Sequence, residues 1–352
     1  MKLRNILAML LTLALALSLI ACGAAETPAP TTENTQASTP SEGTANDTDA
    51  VDTTELEDPI QVMVLNGTTG FGMANLMDEA ADGTSAQAYE FSVETDASNI
   101  VAALANGSAD IAALPTNAAA AVYNKTQGQV QVLALNTRGV LYVVTDGSVT
   151  VESMADLAGK TVYAPAQNPT FIFQQLCQAN GLTDVTVDNT YAQPADLNTA
   201  VASGQVFIAV LPEPMVTIAK TSNPDLVVAL DLTKEWDAVN PEGSLIQGCV
   251  VVRKEFAQQY PGAVATFLTE YEASITAMQE DVEGTSQKIQ AHGIFAKAPV
   301  AAKAIPNCNT CFIAGAEMKT ALSEFLKIMH QVAPASVGGT VPGEDFYYIV
   351  SE

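Results

Sequence analysis

The sequence predicts an α/β protein built from two similar lobes. Between residues 159 and 214, a strand, a polar loop and a helix follow one another twice. This order is typical of a parallel sheet whose ligands lie at the carboxyl ends of its strands. The same order occurs about 100 residues earlier in the chain. At that offset the matching apolar positions are Val62 with Val162, Phe71 with Phe171, and Leu76 with Leu176.

A second stretch repeats at an offset of 97 residues and extends the match over a whole helix and strand. The matching positions are Ile100, Ala103, Leu104, Gly107, Ile111, Leu114 and Pro115 with Leu197, Ala200, Val201, Gly204, Ile208, Leu211 and Pro212. Two stretches that repeat at nearly one offset indicate a duplicated αβ unit. We therefore expect two lobes whose corresponding loops face each other.

Hydrophobic periodicity and turn residues predict the other elements. The predicted strands are 62–65, 110–114, 130–135, 140–144, 226–230 and 250–252, and the predicted helices are 71–77, 96–106 with Ser98 as cap, 151–157, 171–180, 261–279 and 318–332. A polar loop is expected around Trp236 and Pro241. We place the first crossing between lobes just before Gly159, and the return to lobe 1 at 250–252.

The amino terminus predicts export. Lys2 and Arg4 precede an apolar run from residue 6 to residue 20, which is the length of a signal-peptide core and too short to cross a bilayer. Leu19-Ile20-Ala21-Cys22 resembles the lipobox of bacterial lipoproteins, in which Cys22 is acylated after cleavage. The alternative is a plain secretory signal with an incidental cysteine.

Composition divides the chain further. Residues 1–21 form the predicted signal peptide, and residues 22–58 the lipidated cysteine and a disordered linker, because this stretch has almost nothing apolar to bury. Residues 59–352 are long enough for two lobes. We assign residues 59–147 and 249–352 to lobe 1 and residues 148–248 to lobe 2.

The chain is strongly acidic. Its formal charge of −25 becomes −27 once Lys2 and Arg4 leave with the signal peptide. Such a surface argues against binding nucleic acid, and against binding anionic lipid through the protein itself. It does not argue against a small anionic ligand, because a local site can oppose the overall field.

Four cysteines remain besides Cys22. Cys308 and Cys311 have the spacing of metal ligands, but a zinc site needs four ligands and the chain has only His292 and His330 to add. We expect no metal; a local disulfide and two free thiols both remain open for this pair. Cys177 lies on the apolar face of a predicted helix, which favours a place in the core.

The chain resembles a known family in several of these motifs. The signal with its lipobox, the run Asp156-Leu-Ala-Gly-Lys-Thr-Val162, the loop 167–170 and the pair Glu213-Pro214 resemble solute-binding proteins of ABC importers, in the branch that includes nitrate, sulfonate, taurine and thiamine-precursor binders. The resemblance implies a two-lobed periplasmic-binding-protein-like fold of type 2, with mixed sheets flanked by helices and a hinged cleft. It also implies a lipid-anchored extracytoplasmic monomer without cofactor that delivers a small organic or anionic solute to an ABC permease and its ATPase.

Carried over position by position, the family's ligand contacts fall on loops of both lobes. They are Thr68, Thr69, Phe71, Pro115, Thr116, Asn117, Asn168, Thr170, Phe171 and Glu213. Arg138 is a further candidate, either as an anion holder or as an ordinary surface ion pair. Other interpretations stay open: Thr68 and Thr170 as helix caps, the two phenylalanines as core, and Glu213 as the cap of its own helix.

Two other functions remain as alternatives. A eukaryotic thiamine-pyrimidine synthase shares the implied fold and uses histidine and lysine, but here His292 and His330 lie outside every predicted cleft loop, so we expect no enzyme. The second alternative is a surface lipoprotein that presents ligand to a sensor or has a structural role, which the sequence does not distinguish from an importer subunit.

Overall fold

The computed structural model describes residues 56–241 and 243–349. Within these ranges the chain forms two β-sheets flanked by α-helices. The strands are β1 Ile60–Leu65, β2 Tyr89–Glu94, β3 Ile111–Pro115, β4 Val130–Arg138, β5 Leu141–Thr145, β6 Thr161–Tyr163, β7 Thr186–Asp188, β8 Ile208–Pro212, β9 Val227–Asp231, β10 Ile246–Arg253 and β11 Thr310–Ala314. The predicted α/β class with two lobes is confirmed.

The helices alternate with the strands until β10 and dominate the chain after it. They are α1 Thr68–Phe71, α2 Ala74–Asp82, α3 Ala97–Asn106, α4 Thr116–Lys125, α5 Asn168–Ala179, α6 Pro194–Ala202, α7 Met215–Ser222, α8 Leu232–Val239, α9 Lys254–Gln259, α10 Pro261–Glu280, α11 Val282–Ala291, α12 Ala298–Ala304 and α13 Gly315–Val332. Short 3₁₀ turns include Met154–Leu157 and Ile305–Asn307. No helix in the described ranges combines the length and the apolar character that a bilayer crossing requires.

The duplication predicted from the sequence is present in the sheet topology. The first sheet has the order β2-β1-β3-β10-β4-β11, and the second has the order β7-β6-β8-β5-β9. In each sheet the first three strands are parallel and the fourth, β10 or β5, is antiparallel to the third. Even the register corresponds, since Pro115 pairs with Gly248 and Pro212 pairs with Leu141. We call the two sheets with their helices lobe 1 and lobe 2.

The chain passes from the first sheet to the second between two consecutive strands. Strand β4 ends at Arg138 in the first sheet, and β5 begins at Leu141 in the second, so the chain crosses at Gly139 and Val140. The predicted strand 140–144 was assigned to lobe 1, with the crossing after it and just before Gly159. In the structure this strand is β5 of the second sheet, because it forms its hydrogen bonds with β8 and β9. The strand predicted at 250–252 lies within β10, which begins four residues earlier, at Ile246, and pairs with β3 and β4 of the first sheet.

The lobes share one apolar core. It contains residues of both sheets, such as Leu135 and Val143, and extends to Trp236 of α8 and Phe325 of α13, whose ring centroids lie 5.6 Å apart. Helix α13 of lobe 1 also packs against α5 of lobe 2. Because buried apolar contact stabilises association in proportion to area, this core holds the two lobes together. Two smaller cores fill the remaining face of each sheet.

Several local predictions were wrong for identifiable reasons. The polar loop expected around Trp236 is helix α8, and Trp236 is fully buried with its Nε1 donating to the Gly243 carbonyl oxygen at 2.9 Å. Asp96, not Ser98, caps α3, because its carboxylate accepts from the Ser98 amide. The predicted helix 71–77 is divided between α1 and α2, and Thr310–Ala314 is an unpredicted strand.

Candidate ligand-binding site

The carboxyl ends of β1, β3, β6 and β8 face the border between the lobes, and the predicted contact residues follow these strands. Thr68 begins α1 and is half-buried, whereas Thr69 is buried and its carbonyl oxygen accepts from Asn136 Nδ2 at 3.1 Å. Pro115 ends β3 and is half-buried. Their predicted contact with a ligand stays a prediction.

Asn117 and Asn168 meet across this border. Asn168 Nδ2 donates to Asn117 Oδ1 at 2.8 Å, and this hydrogen bond joins the first turn of α5 in lobe 2 to the first turn of α4 in lobe 1. Asn168 Oδ1 is buried and has no hydrogen-bond partner among the described residues. Unpaired polar atoms in a protein interior are rare, so this oxygen is an unusual feature of the contact between the lobes.

Thr116 and Thr170 are committed to other contacts. Thr116 is fully buried and its hydroxyl donates to the Ile246 carbonyl oxygen at 2.9 Å. Thr170 donates to the Pro165 carbonyl oxygen at 2.7 Å and accepts from Asn189 Nδ2 at 2.7 Å. Both hydroxyls are therefore already hydrogen-bonded within the chain, and their contact with a ligand stays a prediction. The cap interpretation is wrong, because neither the Thr68 nor the Thr170 side chain caps its helix.

The two phenylalanines differ in burial. Phe71 is fully buried in a lobe 1 core and packs edge-on against Phe295, with ring centroids 6.1 Å apart. It presents no surface to a ligand, so the predicted contact is corrected to a core role. Phe171 is half-buried and packs against the shared core, which leaves part of its ring accessible.

A cavity of about 650 Å³ lies beside Glu213, at the border between the lobes. Lobe 2 contributes Tyr142 of β5, Glu213, Thr217 and Lys220 of α7, and lobe 1 contributes Lys303 of α12 and Asn307. Helix α12 packs against α7 at this point. The volume is in the range that small-molecule sites occupy.

Glu213 is buried at the base of this cavity. Its carboxylate accepts from the Thr217 backbone amide at 3.1 Å and from the Thr217 hydroxyl at 3.0 Å, so the side chain caps the helix that follows it. Burial raises the pKa of Glu213 above its ordinary value, and the hydrogen bonds from Thr217 and the nearby Asn307 side chain oppose this in part. The sequence left open whether Glu213 caps its own helix or contacts a ligand. The structure shows the helix cap, and Glu213 also lines the cavity.

Tyr142 and Asn307 connect the lobes on the same side. The Tyr142 hydroxyl donates to the Asn307 carbonyl oxygen at 2.9 Å. A second link runs from Asn309 Nδ2 to the carbonyl oxygen of Gly139, at the crossing, over 2.6 Å. Two hydrogen bonds therefore link the lobes close to Asn307.

The two lysines of the cavity carry unneutralised charge. Lys220 lies in the last turn of α7 and Lys303 in the last turn of α12, and both are exposed. Within residues 56–241 and 243–349, neither has a carboxylate within 4.0 Å. One cation from each lobe thus borders a single cavity.

Arg138 is located elsewhere. It ends β4 and lines a separate cavity of about 280 Å³ together with Asp237 and Glu317. Its charge lowers the pKa of Cys311, although burial is the larger effect and raises that pKa to about 11. No carboxylate of the described part lies within ion-pair distance of Arg138, so the surface ion pair left open by the sequence is not formed.

Neither histidine lines the cavity beside Glu213, whereas Cys308 directly follows the cavity residue Asn307. Burial and, to a smaller extent, the nearby Glu213 charge raise the pKa of Cys308. Cys177, Cys249, Cys308 and Cys311 are free thiols, so the alternative of a local disulfide is not the one present. His292 contacts Asp78, and His330 contacts the Gly339 carbonyl oxygen. The described residues contain no group of three or more His, Cys, Asp or Glu arranged to hold a metal ion. Cys22 lies outside the described residues.

Of the ten described lining residues, sequence reasoning named only Glu213; the polar residues that it missed include Tyr142, Lys220, Lys303 and Asn307. A signal for Lys220 was present, because positions 213, 217, 220 and 221 share one face at helical spacing. Lys303 and Asn307 are also one turn apart, but nothing local indicates that they face Glu213 across some 90 residues of chain.

The comparisons agree with this architecture. The family described as the substrate-binding domain of ABC-type glycine betaine transport systems matches residues 58–297. An ABC transporter structure from Parabacteroides distasonis is 23% identical with a TM-score of 0.69, covering 82% of this chain and 98% of that chain. The periplasmic aliphatic sulphonate-binding protein SsuA from Escherichia coli is 14% identical with a TM-score of 0.67, covering 84% and 93%.

A ligand-binding component of an ABC-type import system from Staphylococcus aureus is 13% identical with a TM-score of 0.63, covering 83% of this chain and 97% of that chain. None of the curated proteins compared matches this sequence. The structural neighbours establish the periplasmic-binding-protein fold, and the family profile covers more than half of the chain. This chain belongs to the family of substrate-binding domains of ABC-type transport systems.

Proposed function

We propose that this protein captures a small organic solute between its two lobes and delivers it to the permease of an ABC importer. The observation that carries the proposal is the cavity beside Glu213, whose wall comes from both lobes. A ligand favours a closed arrangement only if it contacts both halves at once, because otherwise its affinity is the same for the open and closed forms. Lys220 and Thr217 on one side and Lys303 and Asn307 on the other meet this condition.

The contacts between the lobes suggest how closure works. The shared core around Trp236 and Phe325 is apolar and extensive, whereas Asn117 with Asn168 and Tyr142 with Asn307 are single hydrogen bonds. A single hydrogen bond contributes only about 1 kcal/mol net. We infer that the apolar contacts stay together as the pivot, while the polar contacts open to admit solute.

The remaining cleft residues fit a supporting role. Thr68, Pro115 and Phe171 are half-buried at the border, and Asn168 keeps a buried amide oxygen without a partner. We propose that solute or ordered water reaches this oxygen when the lobes close. Thr69, Thr116 and Thr170 then act by shaping the loops rather than by touching the solute.

We also propose that the protein acts outside the cytoplasm on a lipid anchor. Residues 1–21 direct export, Cys22 is acylated, and residues up to 58 connect the anchor to a monomeric binding domain. This proposal rests on the sequence Leu19-Ile20-Ala21-Cys22 and on the composition that follows it. Labelling with radioactive palmitate in bacterial cells tests it: wild type should incorporate label, and Cys22→Ser should not.

Calorimetric titration of the purified chain against amino acids, betaines, sulfonates, carboxylates and nucleobases, with small-angle scattering on each mixture, tests the capture. One class should bind and reduce the radius of gyration. If folded protein binds none of them, and native mass spectrometry detects no small molecule retained from cell extract, solute capture is wrong. Binding without any change in radius would leave the site but reject closure.

A further inference from the structure

We propose that the solute is an organic anion with an apolar body, and that its acid group lies between Lys220 and Lys303. This inference rests on the proposed solute capture and specifies the chemistry of the cavity. It concerns two lysines that none of the predicted loop contacts includes.

Lys220 and Lys303 are positively charged groups in a strongly acidic chain. The chain has 14 Lys and Arg against 39 Asp and Glu. Five of its described lysines form no ion pair, and two of these five, Lys220 and Lys303, line the same cavity. Lys220 and Lys303 come from different lobes and border one cavity, and in the described part of the chain no carboxylate lies within 4.0 Å of either. An acid group between them would gain charge-assisted hydrogen bonds from both lobes.

The carboxylate in the cavity does not cancel these cations. Glu213 is turned toward Thr217, which donates to it from both its backbone amide and its hydroxyl. Asp231 approaches from β9, but its carboxylate accepts from the Thr233 amide and lies 3.6 Å from Lys234. The accessible charge of the cavity is therefore positive within a molecule that is negative overall.

The cavity also has an apolar wall. Val216 is buried, and Val228 and Pro224 complete this side together with the Tyr142 ring. Val228 is 38% exposed because it lies on the edge strand β9. Exposed apolar surface inside a concave site favours a ligand with an apolar portion.

The same features disfavour a quaternary ammonium solute. Such cations bind against the faces of several aromatic rings, and this cavity offers only the Tyr142 ring among its described lining residues. Trp236, the single tryptophan of the chain, is fully buried in the shared core. Two lysines would also repel a cation. The cavity of this chain is therefore poorly suited to glycine betaine, the solute named in the description of its family.

The test is a titration of the full chain with four matched probes: hexanesulfonate, hexanoate, hexanol and hexyltrimethylammonium. We expect the two anions to bind and the alcohol and the cation to bind at least about tenfold more weakly. Lys220→Gln and Lys303→Gln should each weaken hexanesulfonate binding about tenfold. Lys297→Gln is the matched control, because Lys297 is an exposed lysine at the other end of α12 and outside the cavity.

The outcomes separate this inference from solute capture. Equal binding of hexanol and hexanesulfonate, tighter binding of the ammonium probe, or a loss for Lys297→Gln as large as for Lys303→Gln would overturn the anion assignment. If a solute from the broader panel binds and closes the lobes but the lysine variants bind it like wild type, the assignment is likewise wrong while capture stands. If no probe binds and no solute is found at all, both fail.

Discussion

Asn168 of lobe 2 donates a hydrogen bond to Asn117 of lobe 1 at 2.8 Å, and the two residues occupy the first turns of helices α5 and α4. These helices follow different strands of the duplicated unit, since α5 follows β6 and α4 follows β3. The contact is therefore not a symmetric pair within the repeat. It is a specific link between lobes, at the border where the carboxyl ends of the parallel strands meet.

The link makes a prediction for a double-mutant cycle. Asn117→Ala and Asn168→Ala should each destabilise the protein, and the double variant should lose less than the sum, with a coupling of about 1 kcal/mol. Urea unfolding monitored by circular dichroism measures the cycle. Small-angle scattering should show a larger radius of gyration for each single variant. If the two effects add fully, the hydrogen bond does not hold the lobes in solution.

The repeat also pairs two phenylalanines that play different roles. Phe71 is fully buried in a lobe 1 core and Phe171 is half-buried at the border. Phe71→Ala should cost about 3 to 5 kcal/mol of unfolding free energy, because it leaves a cavity in a packed core. Phe171→Ala should cost less and should weaken solute binding instead. Urea titration and calorimetry of both variants provide the comparison.

If Phe71→Ala weakens solute binding and Phe171→Ala mainly destabilises the fold, Phe71 would be the ligand contact that the family resemblance implies. Phe71→Leu is the second variant for this purpose, because it keeps most of the side-chain volume and the fold. If Phe71→Leu folds with nearly wild-type stability but loses solute affinity, Phe71 contacts the solute.

How far the sequence predicted the fold depends on the range of the interactions. The offset between Val62 and Val162 predicted two αβ units, and both sheets carry the corresponding strands. It did not predict that β5 joins the second sheet. Residues 140–144 have the same strand pattern in either lobe, and only their hydrogen bonds with β8 and β9 decide between them. The predicted crossing was displaced for this reason.

The residues of the candidate site also differ in how well the sequence could place them. The sequence placed Glu213 and Asn168 at strand ends, because loops after parallel strands meet at one edge of a sheet. It could not place Lys303, which reaches the cavity from a helix that packs against α7. Nor could it tell a hydroxyl already bonded to a carbonyl oxygen, as in Thr116, from one available to a ligand.

Glu213 makes the stability of the protein depend on pH. Its pKa is raised in the folded state above the ordinary value of 4.5, chiefly by burial. A group with a raised folded pKa stabilises the fold below its unfolded pKa, and this contribution is lost as pH rises through the folded value. Glu213→Gln removes the ionisation and keeps an acceptor for Thr217. The variant should therefore gain stability relative to wild type as pH rises from 4 to 8.

Urea unfolding at each pH measures this difference, and Glu152→Gln is the control because Glu152 is exposed. A constant difference between Glu213→Gln and wild type over this range would contradict a folded-state pKa that burial raises. So would a difference of the opposite sign, which would mean that the ionised carboxylate is stabilised in the fold.

The four described cysteine thiols should react slowly while the protein is folded. Burial raises the pKa of Cys177 and of Cys311 to about 11, and it raises those of Cys249 and Cys308 as well. The thiolate is the reactive species, so all four should alkylate slowly with iodoacetamide at pH 8 in the native protein and rapidly in urea. Peptide mass spectrometry resolves each site. A Cys308–Cys311 peptide that resists alkylation in urea until a reductant is added would show a disulfide and contradict the free thiols. Rapid native labelling of Cys311 alone would show that the shared core, against which Cys311 packs, does not shield its thiol.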